Sequence, residues 1–196
     1  MNLDQLPGVW RGRAARAPGG ETVPTGFAAL DAALPGGGWP LGCVVEILAR
    51  QTGAGELAVL LPALARLSQE GRAVSWISPP HIPYAPALAA AGLRLSRMLL
   101  VCPQRTQDRL WSAEQALRYG KHSVVLLWLD QCHERAIRRL QLAAADSGSW
   151  GILLRPQRHA IAHSPAALRL SVDNRDGFLD IHILKCRGGR PAKVRA

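Results

Sequence analysis

The 196-residue sequence reads as an α/β protein with a mostly parallel central sheet flanked by helices and a C-terminal antiparallel hairpin. Three observations carry that expectation. Apolar β-type runs alternate with helical segments at βαβ spacing, from Cys43 through Leu154. The run Val124 to Leu129 is almost continuously apolar, as in a strand whose sheet is covered on both faces. After Pro156 the pattern switches to period two over Leu168–Val172 and Phe178–Leu184, the mark of strands with one buried face.

Taken in order, residues 1–24 lack helical or strand periodicity and read as an N-terminal arm. Trp10 sits there as an apolar anchor beside Arg11, Arg13 and Arg16, and packs on the core or on a partner. The core spans 25–184. It opens on a short helix, Thr25 to Leu34, with Thr25 as N-cap, Phe27, Leu30 and Leu34 on one face, and Pro35-Gly36-Gly37-Gly38 as the stop. The strand from Cys43 leads through a glycine-bearing loop into a helix over 56–70. Next come a strand Ala73–Ser78 closed by Pro79-Pro80, a helix Tyr84–Ala91, and a strand Met98–Cys102. A helix over 107–119 follows, capped by Thr106, with Leu110, Ala113 and Leu117 as its buried stripe. The strand at Val124 precedes a helix Glu134–Ala145, with Ile137, Leu140 and Leu142 inward and Arg135, Arg138 and Arg139 outward. The last core strand is Trp150–Leu154, and Asp173 to Gly177 forms the hairpin turn. Residues 185–196 hold five positive side chains and no acid, and read as a flexible basic tail.

The net charge is +10 and almost all of it is arginine; lysine occurs only at 121, 185 and 193. Arginine favours planar contacts to phosphate and carboxylate, so nucleic acid is one reading of the balance and a GC-rich coding sequence is the other. No apolar run reaches the roughly 18 residues that span a membrane. Cys43, Cys102, Cys132 and Cys186 lack metal or disulfide spacing and read as thiols of a reducing cytoplasm. His159 and His163 stand four apart, but no third ligand is near and Pro156 and Pro165 interrupt a helix. Cys132-His133 are adjacent and do not face each other as a nucleophile pair. No metal or other cofactor is expected.

The stretch from Cys43 to Glu56 has the strand–loop–helix layout of a phosphate-binding loop. A working loop ends G-K-[ST], its Lys reaching the β/γ-phosphates and its hydroxyl a Mg²⁺ ion. Here Gly55 and Glu56 stand at those two places. Ala49, Thr52, Gly53, Ala54, Gly55 and Glu56 are therefore a remnant nucleotide loop, without its two chemical groups and with a carboxylate that repels phosphate.

The segment Thr25-Gly26 … Leu30-Asp31 … Gly36-Gly37-Gly38 … Gly42 … Glu46-Ile47 resembles the RecA core, and the order of later elements agrees to about residue 184. The phrases Pro7–Gly12, Leu60–Ser68, Pro79–Leu88 and Leu184-Lys185-x-Arg187-Gly188-Gly189 resemble the ImuA group of RecA/SulA-like proteins. That resemblance implies a RecA-like fold and a cytoplasmic, nucleoid-associated accessory of SOS-induced error-prone translesion synthesis. It implies ImuB, an error-prone replicative-type polymerase and RecA as partners, with DNA contact open. RecA-type hydrolysis also needs a water-orienting Glu, which matches Pro80, and a metal-associated Asp, for which Asp130 and Trp128 both fall in register. The expectation is a non-catalytic adaptor whose contact candidates are Trp10, Arg11, Arg13, Lys185, Arg187, Gly188, Gly189 and Arg190. Two alternatives stand beside it: a partner-activated weak ATPase using Glu46, Thr52 and Asp130, and a SulA-like inhibitor of cell division that caps the tubulin-like division protein.

Overall fold

The computed structural model describes residues 20–196; Trp10, Arg11 and Arg13 lie outside the described residues. The first described element is a small antiparallel ribbon, β1 (Thr22–Val23) against β2 (Trp39–Pro40), so the end of the segment read as an arm is already part of the fold. Between them lies α1 (Ala28–Ala33). Thr25 does not cap it, because Phe27 holds the N-cap position. Instead Thr25 Oγ1 accepts from the Phe27 N–H at 3.1 Å, while its own N–H donates to Asp31 Oδ1 at 2.8 Å. The threonine thus ties the approach to α1 one turn ahead of the helix.

The main sheet has eight strands: β3 (Cys43–Ala49), β4 (Val74–Ile77), β5 (Met98–Val101), β6 (Val124–Trp128), β7 (Trp150–Pro156), β8 (Leu168–Arg175), β9 (Phe178–Cys186) and β10 (Ala192–Arg195), in the spatial order β10-β9-β8-β3-β7-β6-β4-β5. From β8 to β5 every pairing is parallel; β8–β9 and β9–β10 are antiparallel. This is the expected mostly parallel sheet with an antiparallel C-terminal hairpin. The hairpin turn is tighter than the expected Asp173–Gly177: Asp173–Arg175 belong to β8, and only Asp176 and Gly177, with φ of 53° and 82°, make the turn. Asp-Gly with both residues left-handed matches the twist of a two-residue hairpin.

Helices cover both faces. On one, α1, α2 (Leu61–Gln69) and its N-cap residue Leu60 bring Leu30, Leu60, Leu64 and Leu67 against Val45 and Ile47 of β3, with Trp39, Trp76 and Trp150 in the same cluster. On the other, α4 (Thr106–Tyr119) and α5 (Glu134–Ser147) bring Ala113, Leu117, Ile137 and Leu140 against Val44, Val125 and Leu153. The short α3 (Ala85–Ala90) sits between β4 and β5 in the chain and buries Leu88. Each fully buried Leu or Ile stabilises the fold by about 1.5–3 kcal/mol. Central β3 is buried at all seven positions, which explains its unbroken apolar run and makes its one charge, Glu46, conspicuous.

Several boundaries differ from the sequence reading, for local reasons. Residues 56–60 form turns, and α2 begins at Leu61. Pro62 has no N–H for the carbonyl of residue 58, so regular helix starts with Pro in its first turn. Thr106 lies inside α4, whose N-cap is Arg105. In α5, Leu142 points outward at 62% exposure while Ala143 and Ala144 are buried; its phase puts the alanines against the sheet. The tail expected to be flexible is structured: Lys185 and Cys186 complete β9, Arg187–Pro191 turn back, and β10 pairs with β9 from Ala192↔Ile183 to Arg195↔Asp180. Among the described residues no helix is long and apolar enough to cross a membrane.

Candidate functional site

The loop over residues 50–60, read from sequence as a nucleotide-loop remnant, leaves the carboxyl end of β3, where open parallel sheets place their ligand crevices. A cleft of about 380 Å³ lies there, lined by Ala49, Arg50, Thr52 and Glu56 from the loop, Ser78 and Pro80 after β4, Arg109 of α4, Trp128 and Asp130 at the end of β6, and Arg155 and Arg158 from the end of β7. The structure therefore brings together the loop, Pro80, Trp128 and Asp130, the positions that the resemblance pairs around a nucleotide.

What fills the cradle is Glu56. The side chain is 4% exposed, and its Oε1 accepts the Gly53 N–H at 2.7 Å. In a working loop such amides point at phosphate; here the chain's own carboxylate takes one of them and adds a negative charge where an anion would bind. A lysine cannot simply be restored at position 55. Gly55 has φ +102°, and an added Cβ would lie 2.5 Å from Leu179 Cδ2 and 3.6 Å from Val172 Cγ1. The loop is held against the β8–β9 hairpin at a distance only glycine allows.

Neither of the other acidic residues is available. Glu46, 0% exposed, receives Arg155 Nη1 at 2.8 Å on Oε1 and Arg169 Nε at 2.5 Å on Oε2. Arg155 also donates to the Asp130 carbonyl at 3.0 and 3.1 Å, and Arg169 donates to the carbonyls of His159, Ala160 and Ala162. The three side chains form a buried cluster that ties β3, β7 and β8 to the loop after β6 and to the short helical turn Gln157–Ile161. Asp130 follows the end of β6 and is paired with Arg158 and with His159, whose Nε2–H donates at 2.9 Å to Oδ1. The His159 hydrogen bond, reinforced by the Arg158 charge, holds the Asp130 carboxyl below its ordinary range. Sequence reading missed the Glu46–Arg155–Arg169 cluster. Its available signal was a charged residue within the apolar stretch of each of three strands, Glu46 in β3, Arg155 in β7 and Arg169 at the start of β8, for Arg169 stands beside Glu46 in the parallel register.

The histidines spaced four apart do not converge. His159 belongs to Asp130, and His163 Nδ1 lies 3.0 Å from Glu134 Oε1. Among the described residues no group of three or more His, Cys, Asp or Glu gathers as a metal site. Burial raises the Cys132 thiol and pushes Cys43 up to about 12, which keeps both protonated and inert at neutral pH.

The C-terminal contact candidates are placed away from this cleft, at the β9–β10 turn. Lys185 Nζ donates inward to the Ser164 carbonyl at 2.7 Å, and burial beside Arg187 and Arg169 lowers its pKa. Gly188 has φ +79°, and an added Cβ on Gly189 would meet Pro35 at 2.8 Å, so the pair makes a close turn against the end of α1. Arg187 and Arg190 are exposed.

Fold and cleft together define an α/β protein with a mostly parallel sheet and a crevice at the carboxyl ends of its strands, where the Glu56 carboxylate holds the loop amide of Gly53. The cell division inhibitor SulA family matches residues 42–151, more than half of the chain, and the protein belongs to that family. It is 35% identical over 107 residues to the cell division inhibitor SulA of Edwardsiella piscicida, and 36% over 99 residues to that of Cronobacter sakazakii. These matches take in 54% and 50% of this chain but only 64% and 59% of the relatives. A match to protein RecA of Bacillus licheniformis is 32% identical over 107 residues and covers 55% of this chain and 30% of that protein. The matched family segment runs from the start of β3 to the start of β7, so the 157–166 segment, the hairpin and β10 lie beyond it.

Proposed function

We propose that this protein is a non-catalytic, RecA-like interaction protein of the DNA-damage response, acting through its surface rather than by nucleotide turnover. The observation that carries the reading is the Glu56 carboxylate seated on the Gly53 amide. The element order around β3 supports a RecA-like core. A partner-activated ATPase receives no support from Glu46 and Asp130, which are both engaged by arginines. Titration with a fluorescent ATP analogue and a turnover assay, with and without DNA, test the reading. The expected result is neither saturable binding nor hydrolysis; DNA-stimulated turnover that disappears on changing the loop would sink it.

Two targets fit such a protein. Inhibition of cell division is supported by the names of the relatives along residues 42–151. The relatives favour this target; an adaptor role in translesion synthesis, contacting ImuB, a mutagenic polymerase or RecA in the cytoplasm, is the second reading and rests on a different observation. The phrase Leu184–Gly189 lies outside the matched segment and builds an ordered basic turn on the sheet edge. Overproduction separates the two: filamentous cells support division inhibition, whereas normal cell length with loss of damage-induced mutagenesis in a deletion strain supports the adaptor.

A further inference from the structure

The cleft beside Glu56 continues into a second depression of about 340 Å³, and the two share Thr52, Glu56, Pro80 and Trp128. The halves differ in chemistry. The first is basic. Arg158 is paired with Asp130 and Arg155 with Glu46, whereas among the described residues Arg109 donates only to the carbonyls of Pro103 and Gln104, and Arg50 is exposed at the rim. The second half is apolar, built by Leu57, Trp76, Trp128 and the segment Pro79–Tyr84. Its rim leaves Ile82 88% and Tyr84 72% exposed, the kind of large apolar exposure that marks interaction sites.

The floor supplies a further constraint. Trp76 Nε1, Ser78 Oγ and Glu56 Oε2 are buried without a hydrogen-bond partner among the described residues. They comprise a donor, a hydroxyl and an acceptor, and a buried polar group without a partner is unfavourable. A guest toward which these side chains turn relieves that cost if it offers both N–H and C=O groups. A peptide backbone does. A phosphate backbone offers acceptors alone and has no donor for Glu56 Oε2. Trp76 and Trp128 are packed on each other, centroids 5.2 Å apart, so they do not present the separate stacking faces that bases need.

We propose that this groove is the docking site for an acidic linear segment of a partner protein, carboxylates toward Arg50 and Arg109 and one large apolar side chain in the Pro79–Tyr84 half. The assignment rests on the partner-binding reading above and names the chemistry of the partner. In this arrangement the shut phosphate cradle forms the groove's floor, and the former nucleotide crevice serves a protein ligand.

The test is selection of random 12-residue peptides on phage against the full chain, followed by fluorescence anisotropy with the enriched peptides after synthesis. Two variants at exposed positions, Arg50→Glu and Ile82→Asp, are checked for an unchanged melting curve and measured alongside. Enriched peptides should be rich in Asp and Glu around a Leu, Phe or Trp, and each variant should weaken them at least tenfold. No enrichment, peptides without acidic bias, or equal binding by both variants would overturn the proposal. A single-stranded dT 20-mer that binds and is lost in both variants would overturn it in favour of nucleic acid. A fluorescent ATP analogue is run in parallel. Peptide failure without nucleotide turnover removes only the groove assignment, whereas saturable nucleotide binding followed by turnover removes the non-catalytic reading itself.

Discussion

Glu46 and Asp130 show how a carboxylate's surroundings decide what it can do. Both lie near the crevice, and either one alone in the sequence has the profile of a functional acid. Glu46 is wholly enclosed, with an arginine on each oxygen. A buried charge network is weak evidence for stability as such, but breaking one is costly because the remaining charges lose their partner. Glu46→Leu leaves Arg155 and Arg169 facing each other in the interior, and should cost about 3–5 kcal/mol in urea denaturation. Replacing all three by apolar residues of similar volume should recover most of that loss; full stability in the single variant would show that the cluster is not a unit. Asp130 is half exposed, so its effect is read by titration. Its carboxyl is depressed by the His159 hydrogen bond and the Arg158 charge. A depressed folded-state pKa means the pairing stabilises the protein above the unfolded Asp value of about 4 and that this is lost as pH falls through the lower folded value. By NMR, the Asp130 side-chain carboxyl should titrate at lower pH in the natural protein than in His159→Ala. An unchanged midpoint would remove the histidine from the account.

At the scale of elements, the last twelve residues change meaning. Their composition, five cations with Gly188-Gly189 and Pro191, is that of a solvated tail. Within it, Ala192-Lys193-Val194-Arg195 alternates, and the alternation is what the fold uses. Val194 and Ala192 pack on the main core cluster, Lys193 and Arg195 face outward, and Arg195 lies 4.7 Å over the Phe178 ring. Four residues are too few for period two to stand out against flanking Gly and Pro, and only the neighbouring β9 makes them a strand. The charged outer face also discourages pairing with another chain at this edge. Deleting residues 191–196 should therefore uncover β9, lower the melting temperature and raise light scattering on heating. A truncated protein with the parent's melting curve would return the segment to the status of a passive end. Elsewhere the elements were legible where a pattern was long, as in the apolar run of β3, the helical periods of α4 and α5 and the alternation of the hairpin. They were misjudged where one backbone constraint ruled, as at Pro62 ahead of α2. The position of the crevice at the carboxyl end of β3 was legible from the strand–loop layout. The Glu46 cluster was not, because its two ion pairs join residues 109 and 123 positions apart, and no local pattern reports a register between distant strands.

For the molecule as a whole, the question left by composition is what a net charge of +10 does. The fold disperses it. Arg135, Arg138 and Arg139 are exposed on α5, against one face of the sheet, although Arg139 is partly committed to Glu114. Arg187, Arg190, Lys193 and Arg195 lie at the β9–β10 edge, and Arg50 and Arg109 at the carboxyl ends of the strands. Among the described residues these three groups lie on a helix, a sheet edge and a strand-end crevice, not on the single stripe that follows a duplex. Charge at this level still attracts DNA without reading it. Each neutralised phosphate contributes about −0.9 to the slope of log K against log salt, and the largest of the three groups has four cations. Duplex binding should thus be independent of sequence, with a slope shallower than about −4, and should fade between about 50 and 200 mM salt. Fluorescence anisotropy with two unrelated labelled duplexes measures this directly. A slope well beyond that value would mean that the groups act together on one DNA, which this arrangement of helix, edge and crevice does not allow for a single copy. A preference between the duplexes would call for base contacts that none of the three groups is shaped to make.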